Sequence, residues 1–118
     1  MNNTLENVKI IDTFLGMEEH GILTWHLTVK GDGFVASIGG YCLDKYDENK
    51  RKRIAYHKSF ELIDRILEVV GVPTWEELQG KYIRVKSNGF GCRVTKIGNL
   101  IKDDWLDFDT FFKEETDE

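Results

Sequence analysis

The sequence predicts an α+β fold: a mainly antiparallel sheet, one long helix packed on it and a second short helix. Three observations predict it. Stretches of strand character stand both before and after a single stretch of helical periodicity. Three of the strand-like stretches follow one another through short connections, which suits antiparallel neighbours. The chain has 118 residues, 41% hydrophobic and 12% aromatic, enough for one core and too few for two comfortable ones. Residues 1–118 therefore read as a single domain, with the acidic end, 113–118, expected to fray.

Residues 8–15 are apolar, rich in β-branched side chains and end at Gly16, the pattern of a first strand. Leu23, Trp25, Leu27 and Val29 alternate with Thr24, His26, Thr28 and Lys30, which predicts a half-buried strand with its odd positions inward. Gly31-Asp32-Gly33 supplies a tight turn, and 34–43 reads as the returning strand. Gly39-Gly40 inside that strand predicts a bulge or a close approach by another group. Residues 43–58 are polar and carry Lys50-Arg51-Lys52-Arg53, so they are expected as a surface loop or an extended hairpin. Ser59 is placed to cap a helix over 60–70, with Phe60, Ile63, Leu67 and Val70 as its apolar stripe and Gly71 as its stop. Thr74 and Glu77 have the spacing of a capping box, opening a short second helix that Gly80 closes. Residues 82–86 and 92–101 read as strands, with Ile83 and Val85 facing one way and Tyr82, Arg84 and Lys86 the other. Residues 105–112 read as a short strand or a turn of helix.

Composition narrows the function. No apolar run approaches the ~20 residues that cross a bilayer. The opening Met1-Asn2-Asn3-Thr4-Leu5-Glu6 lacks the basic start and apolar stretch of a signal peptide. Cys42 and Cys92 follow no metal or redox spacing and read as free thiols in a reducing cytosol. The net charge of −5 argues against general affinity for DNA or RNA. The charge is uneven, however: residues 81–102 hold six cations and no acid, whereas 103–118 carry −7. A local basic region on an acidic protein suits a small anionic ligand better than a polymer, and a solvated strand face is the ordinary alternative.

No catalytic constellation stands out. His20, His26 and His57 have no metal-ligand spacing, no serine sits in a nucleophile elbow, and neither cysteine has a sequence cue for activation. Gly31-Asp32-Gly33 and Gly89-Phe90-Gly91 are neither a P-loop nor a dinucleotide fingerprint. The expectation is a binding protein, not an enzyme, with no cofactor and no metal. The most informative segment is 82–99, where Phe90 between glycines, the cations Arg84, Lys86, Arg93 and Lys96, and the amide of Asn99 come together in sequence. An aromatic at a loop tip can stack on a base, and guanidinium groups grip phosphate bidentately. Phe90 tucked into the core, and arginines in solvent, are the structural alternatives.

Gly31-Asp32-Gly33-Phe34, Gly39-Gly40-Tyr41-Cys42-Leu43-Asp44, the stretch Phe60-Glu61-Leu62-Ile63-Asp64-Arg65-Ile66-Leu67-Glu68, Tyr82-Ile83-Arg84-Val85-Lys86 and Ile97-Gly98-Asn99 together resemble the phage Thoeris anti-defence proteins of the first type. The resemblance spans 6–108. It implies a non-enzymatic sponge, working in the cytoplasm of an infected bacterial host, that sequesters a cyclic ADP-ribose-type second messenger without degrading it. Cyclic oligonucleotides at separate sites and a homo-oligomer, at least a dimer, are further implications. So is a pocket in which Phe90 meets adenine, with Arg65 from the helix, Asn99 near the later strand, and Arg93 as an additional contact. The alternatives are a small protein-binding inhibitor module and a small nucleotide-processing enzyme.

Overall fold

The computed structural model describes residues 4–18, 21, 23–42, 44–55, 58–87 and 93–111. Its elements run β1 (Thr4–Met17), β2 (Leu23–Gly31), β3 (Phe34–Cys42), β4 (Asp44–Asp47), β5 (Lys52–Ala55), α1 (Ser59–Val70), a 3-10 helix (Trp75–Leu78), β6 (Tyr82–Ser87), β7 (Val94–Gly98) and β8 (Trp105–Asp107). A turn of helix over 108–111 follows β8. Six strands form one sheet in the order β3-β2-β1-β6-β7-β8, antiparallel at every pairing, and β4 and β5 form a separate hairpin. The α+β expectation is met. The long helix is one of 12 residues, about three turns. Among the described residues, no helix is long and apolar enough to cross a membrane.

The period-two reading of β2 holds from Trp25 onward, with Trp25, Leu27 and Val29 buried, but not at the start of the strand, where Thr24 is buried and Leu23 half-buried. Val8 and Ile10 of β1, Ile83 and Val85 of β6, and Ile97 of β7 bury on the same inner face. In β1 the register steps from Ile10↔Val29 to Asp12↔Thr28, so Ile11 is an extra residue. That bulge reverses which parity faces inward, and Thr13 and Leu15 then oppose the inward Leu27 and Trp25. The Gly31–Gly33 turn closes the β2–β3 hairpin with Gly33 at φ +84. The bulge expected at Gly39-Gly40 is present as a register shift opposite Thr24 and His26. Gly39 has φ +112, and a Cβ there would lie 2.7 Å from the Trp25 carbonyl oxygen and 2.9 Å from its ring. The close neighbour that requires glycine is thus a core tryptophan.

Two details of α1 differ from the sequence reading. Ser59 is not the cap: Lys58 occupies the N-cap position with no side-chain capping bond, and Ser59 is buried in the first turn. The buried stripe is Leu62, Ile66 and Val69, with Ile63, Leu67 and Val70 partly buried, whereas Phe60 is 78% exposed. The apolar residues of this helix cover a broad arc. Spacings of three and four select two overlapping stripes within it, and packing centres on the one through Ile66, which leaves Phe60 at the far edge. Gly71 closes the helix as expected, left-handed at φ +90, its N–H donating to the Leu67 carbonyl at 2.8 Å.

The capping box also takes another form. Thr74 Oγ1 donates to Glu77 Oε2 at 3.0 Å, and the Glu77 N–H donates to the Thr74 carbonyl at 3.2 Å. A 3-10 turn already uses that N–H, so the two side chains pair with each other. Residues 92–101 yield a shorter strand, β7, while 43–58 hold the expected hairpin and 105–112 hold both a strand and a helical turn. Phe90, Cys92 and 112–118 lie outside the described residues.

Helix α1 and the 3-10 helix cover the inner face, α1 packing on β7 and β8. One core joins Trp25, Ile38, Leu62, Ile66, Leu78, Ile83, Ile97 and Phe108.

Candidate ligand-binding face

Arg65 stands on the partly buried flank of α1, turned toward the start of β8. Its Nη1 donates to Glu68 Oε1 at 2.7 Å, and Nη2 donates to Asp104 Oδ1 at 3.0 Å and to the Trp105 carbonyl at 2.9 Å. The hydrogen bond to Glu68 raises its pKa above the ordinary arginine value, partial burial works against that, and Asp104 adds to the rise. The guanidinium therefore ties the helix to the segment entering β8.

Asn99 leaves β7 at the same corner. Its Nδ2 donates to the Val69 carbonyl at 2.9 Å, satisfying an acceptor in the last turn of α1. Its Oδ1 accepts the backbone N–H groups of Ile101 (2.9 Å) and Lys102 (2.8 Å). Asn99 is the hinge pin of the β7–β8 turn. Arg93 is exposed and pairs with Asp109 at 2.8 Å. The structure thus brings Arg65 and Asn99 to one corner beneath β8 and keeps Arg93 at the other end of β7, while Phe90 lies outside the described residues.

The charge asymmetry of the sequence has a structural explanation. The basic and acidic stretches meet where β7 pairs with β8: Arg93 faces Asp109, and Lys96 lies 3.8 Å from Asp107. Part of the basic excess is consumed there.

Arg84, Lys86 and Lys96 of the basic stretch join Lys9 of β1 and Lys30 of β2 on the outer face of the sheet, the side away from α1. Strand register sets them in three rows. Lys30, Lys9 and Tyr82 form the first; Asn7, Arg84, Gly98 and Trp105 the second; Leu5, Lys86, Lys96 and Asp107 the third. These rows carry five cations against one carboxylate, Asp107, which Lys96 already approaches.

Trp105 organises the second row. A Cβ on Gly98 would sit 2.5 Å from its indole, so glycine lets the ring lie against the β7 backbone. Arg84 places its guanidinium carbon 4.7 Å, and Lys86 its amine 4.9 Å, from the ring centroid. Arg84 is held further by Nε donating to the Asn99 carbonyl and Nη2 to the Lys102 carbonyl, both at 2.7 Å. These bonds fix the fork while leaving Nη1 for another acceptor. Asn99 and Arg65 act on this face indirectly, by shaping the turn that carries Trp105 and the carbonyls that hold Arg84. Farther along the face, Phe14 and His26 stack at 5.2 Å.

Sequence reading placed Arg84, Lys86 and Tyr82 on a common outward face but did not find Trp105, Lys9 or Lys30. Outward position on a strand was their only local signal. Among the described residues, no group of three or more His, Cys, Asp or Glu is placed to hold a metal ion. Comparison of the chain with protein-family models, curated proteins and solved structures finds no match.

Proposed function

We propose that this protein binds and sequesters a small phosphate-bearing nucleotide signal without chemically changing it, and that the signal is of the cyclic ADP-ribose type. The observation that carries the reading is the outer sheet face, where Arg84 and Lys86 are pre-positioned over Trp105 in strand rows whose one carboxylate is Asp107, with Asp103 accepting from the Trp105 indole N–H beside them. Held cations lose little conformational freedom when a phosphate arrives, and guanidinium suits its oxygens geometrically. The anti-defence resemblance supports the choice of ligand and the setting, the cytoplasm of a phage-infected bacterium. Phe90 and Arg93 enter the proposal as direct contacts, as the resemblance implies. Arg65 and Asn99 enter it through the corner they build under Trp105.

Self-association belongs to the same proposal. Strand β3 lies at a sheet edge, and its nine residues include no charge and no proline, two of the devices that keep edges apart. Light scattering at micromolar concentration should give a dimer or larger, and a strict monomer removes that part.

The deciding experiment mixes the protein with cyclic ADP-ribose isomers, removes free ligand, and heats the complex. Release of ligand with unchanged mass is the expected result. Ligand of altered mass means catalysis, and no retained ligand at all ends the proposal.

A further inference from the structure

Lys9 and Lys30 are directly opposed across β1 and β2 on the outer face. Like charges in that position repel and weaken a strand pair. Neither lysine has a carboxylate within ion-pair distance among the described residues. Lys9 instead stands 5.9 Å from the centroid of Tyr82, its neighbour on the other side in register. Both lysines line an open cleft of about 490 Å³, together with Asn7, Ile11, Gly31, Asp32 and Tyr82. This volume falls within the range of small-molecule sites, about 300–1,000 Å³. Tyr82 is 54% exposed, so a large part of its ring is open to a ligand.

We infer that this cleft is a second subsite on the outer face and takes a 5′-nucleotide moiety. The phosphate lies between the Lys9 and Lys30 amines, the base or sugar lies against Tyr82, and the Asp32 carboxylate accepts a sugar hydroxyl. Anion binding relieves the repulsion that the register imposes. A bare anion would need neither the exposed ring nor an acceptor at the rim. The inference rests on the nucleotide reading above and extends it, since Lys9 and Arg84 are diagonal neighbours, about 7–8 Å apart at the backbone. A ligand with two phosphates could engage the lysine pair and the Arg84–Lys86 pair together.

The test measures binding of adenosine 5′-monophosphate, adenosine and inorganic phosphate by calorimetry, together with melting temperature, for the wild type, Lys9→Gln, Lys30→Gln and Tyr82→Ala. Adenosine 5′-monophosphate should bind more tightly than either fragment. Each lysine variant should weaken it about tenfold or more, the scale of one charge-assisted hydrogen bond. Without ligand, the lysine variants should melt at or above the wild-type temperature, because a repulsion has been removed. Absence of binding, unchanged affinity in the lysine variants, equal affinity for phosphate alone, or a lower melting temperature of the free lysine variants would each overturn the subsite. Failure here is separable from failure of the sponge reading. A cyclic ADP-ribose isomer retained equally by Lys30→Gln sinks only the cleft, while adenosine 5′-monophosphate bound by a protein that ignores every cyclic isomer sinks only the sponge.

Discussion

The two faces of the six-stranded sheet are made from the same strands, yet they solve different problems. The inner face is apolar, roofed by α1 and the 3-10 helix, and closes around Trp25, Ile83 and Ile97. The outer face alternates with it residue by residue and presents Lys30, Lys9, Tyr82, Arg84, Lys86 and Trp105. On the inner face, each side chain is held by packing. On the outer face, cations are held by rings and backbone carbonyls, and two of them are set against each other with no acid between. Packing needs the first arrangement, whereas the opposed lysines of the second weaken a strand pair, and this supports placing the proposed binding site on the outer side.

If that division is right, substitutions inside should cost stability and substitutions outside should cost affinity. Trp25→Ala should be the most damaging change, lowering unfolding free energy by about 3–5 kcal/mol in urea titration, as for other large aromatics removed from a core. Asn99→Ala should follow at about 1–3 kcal/mol, because the Val69 carbonyl and two turn N–H groups lose their partner. Arg65→Ala sharpens the comparison, since its residue sits on the inner side but is implied by the resemblance to touch ligand. Its partly exposed bonds to Glu68, Asp104 and the Trp105 carbonyl predict a loss of about 1–2 kcal/mol. A variant that melts like the wild type but no longer retains ligand would move Arg65 into the pocket and break the division. Lys86→Gln should change stability least, within about 0.5 kcal/mol, while weakening ligand binding in calorimetry.

How much of this was legible in the sequence follows from how local each signal is. The odd-inward pattern of β2 from Trp25 to Val29, the Gly31–Gly33 turn and the Gly71 stop depend on neighbours in the chain, and all three hold. The α1 stripe was displaced because an arc of seven apolar residues admits two helical stripes, and only the sheet beneath decides between them. Ser59 looked like a cap by residue type, but burial of its turn carried it inside. The outer face was half legible: Tyr82, Arg84 and Lys86 lie on one strand and share its parity. Lys9 meets Lys30, and Trp105 meets Gly98, only through strand register, and the bulge at Ile11 resets that register in a way that no local pattern announces.

The most direct test of the division follows backbone and tryptophan indole resonances by NMR while a cyclic ADP-ribose isomer is titrated in. The account predicts that the affected signals cluster on Lys9, Tyr82, Arg84, Lys86 and the Trp105 indole, with Leu62, Ile66 and Val69 of α1 unmoved. Shifts centred on α1, or none on the outer rows at saturating ligand, would contradict it.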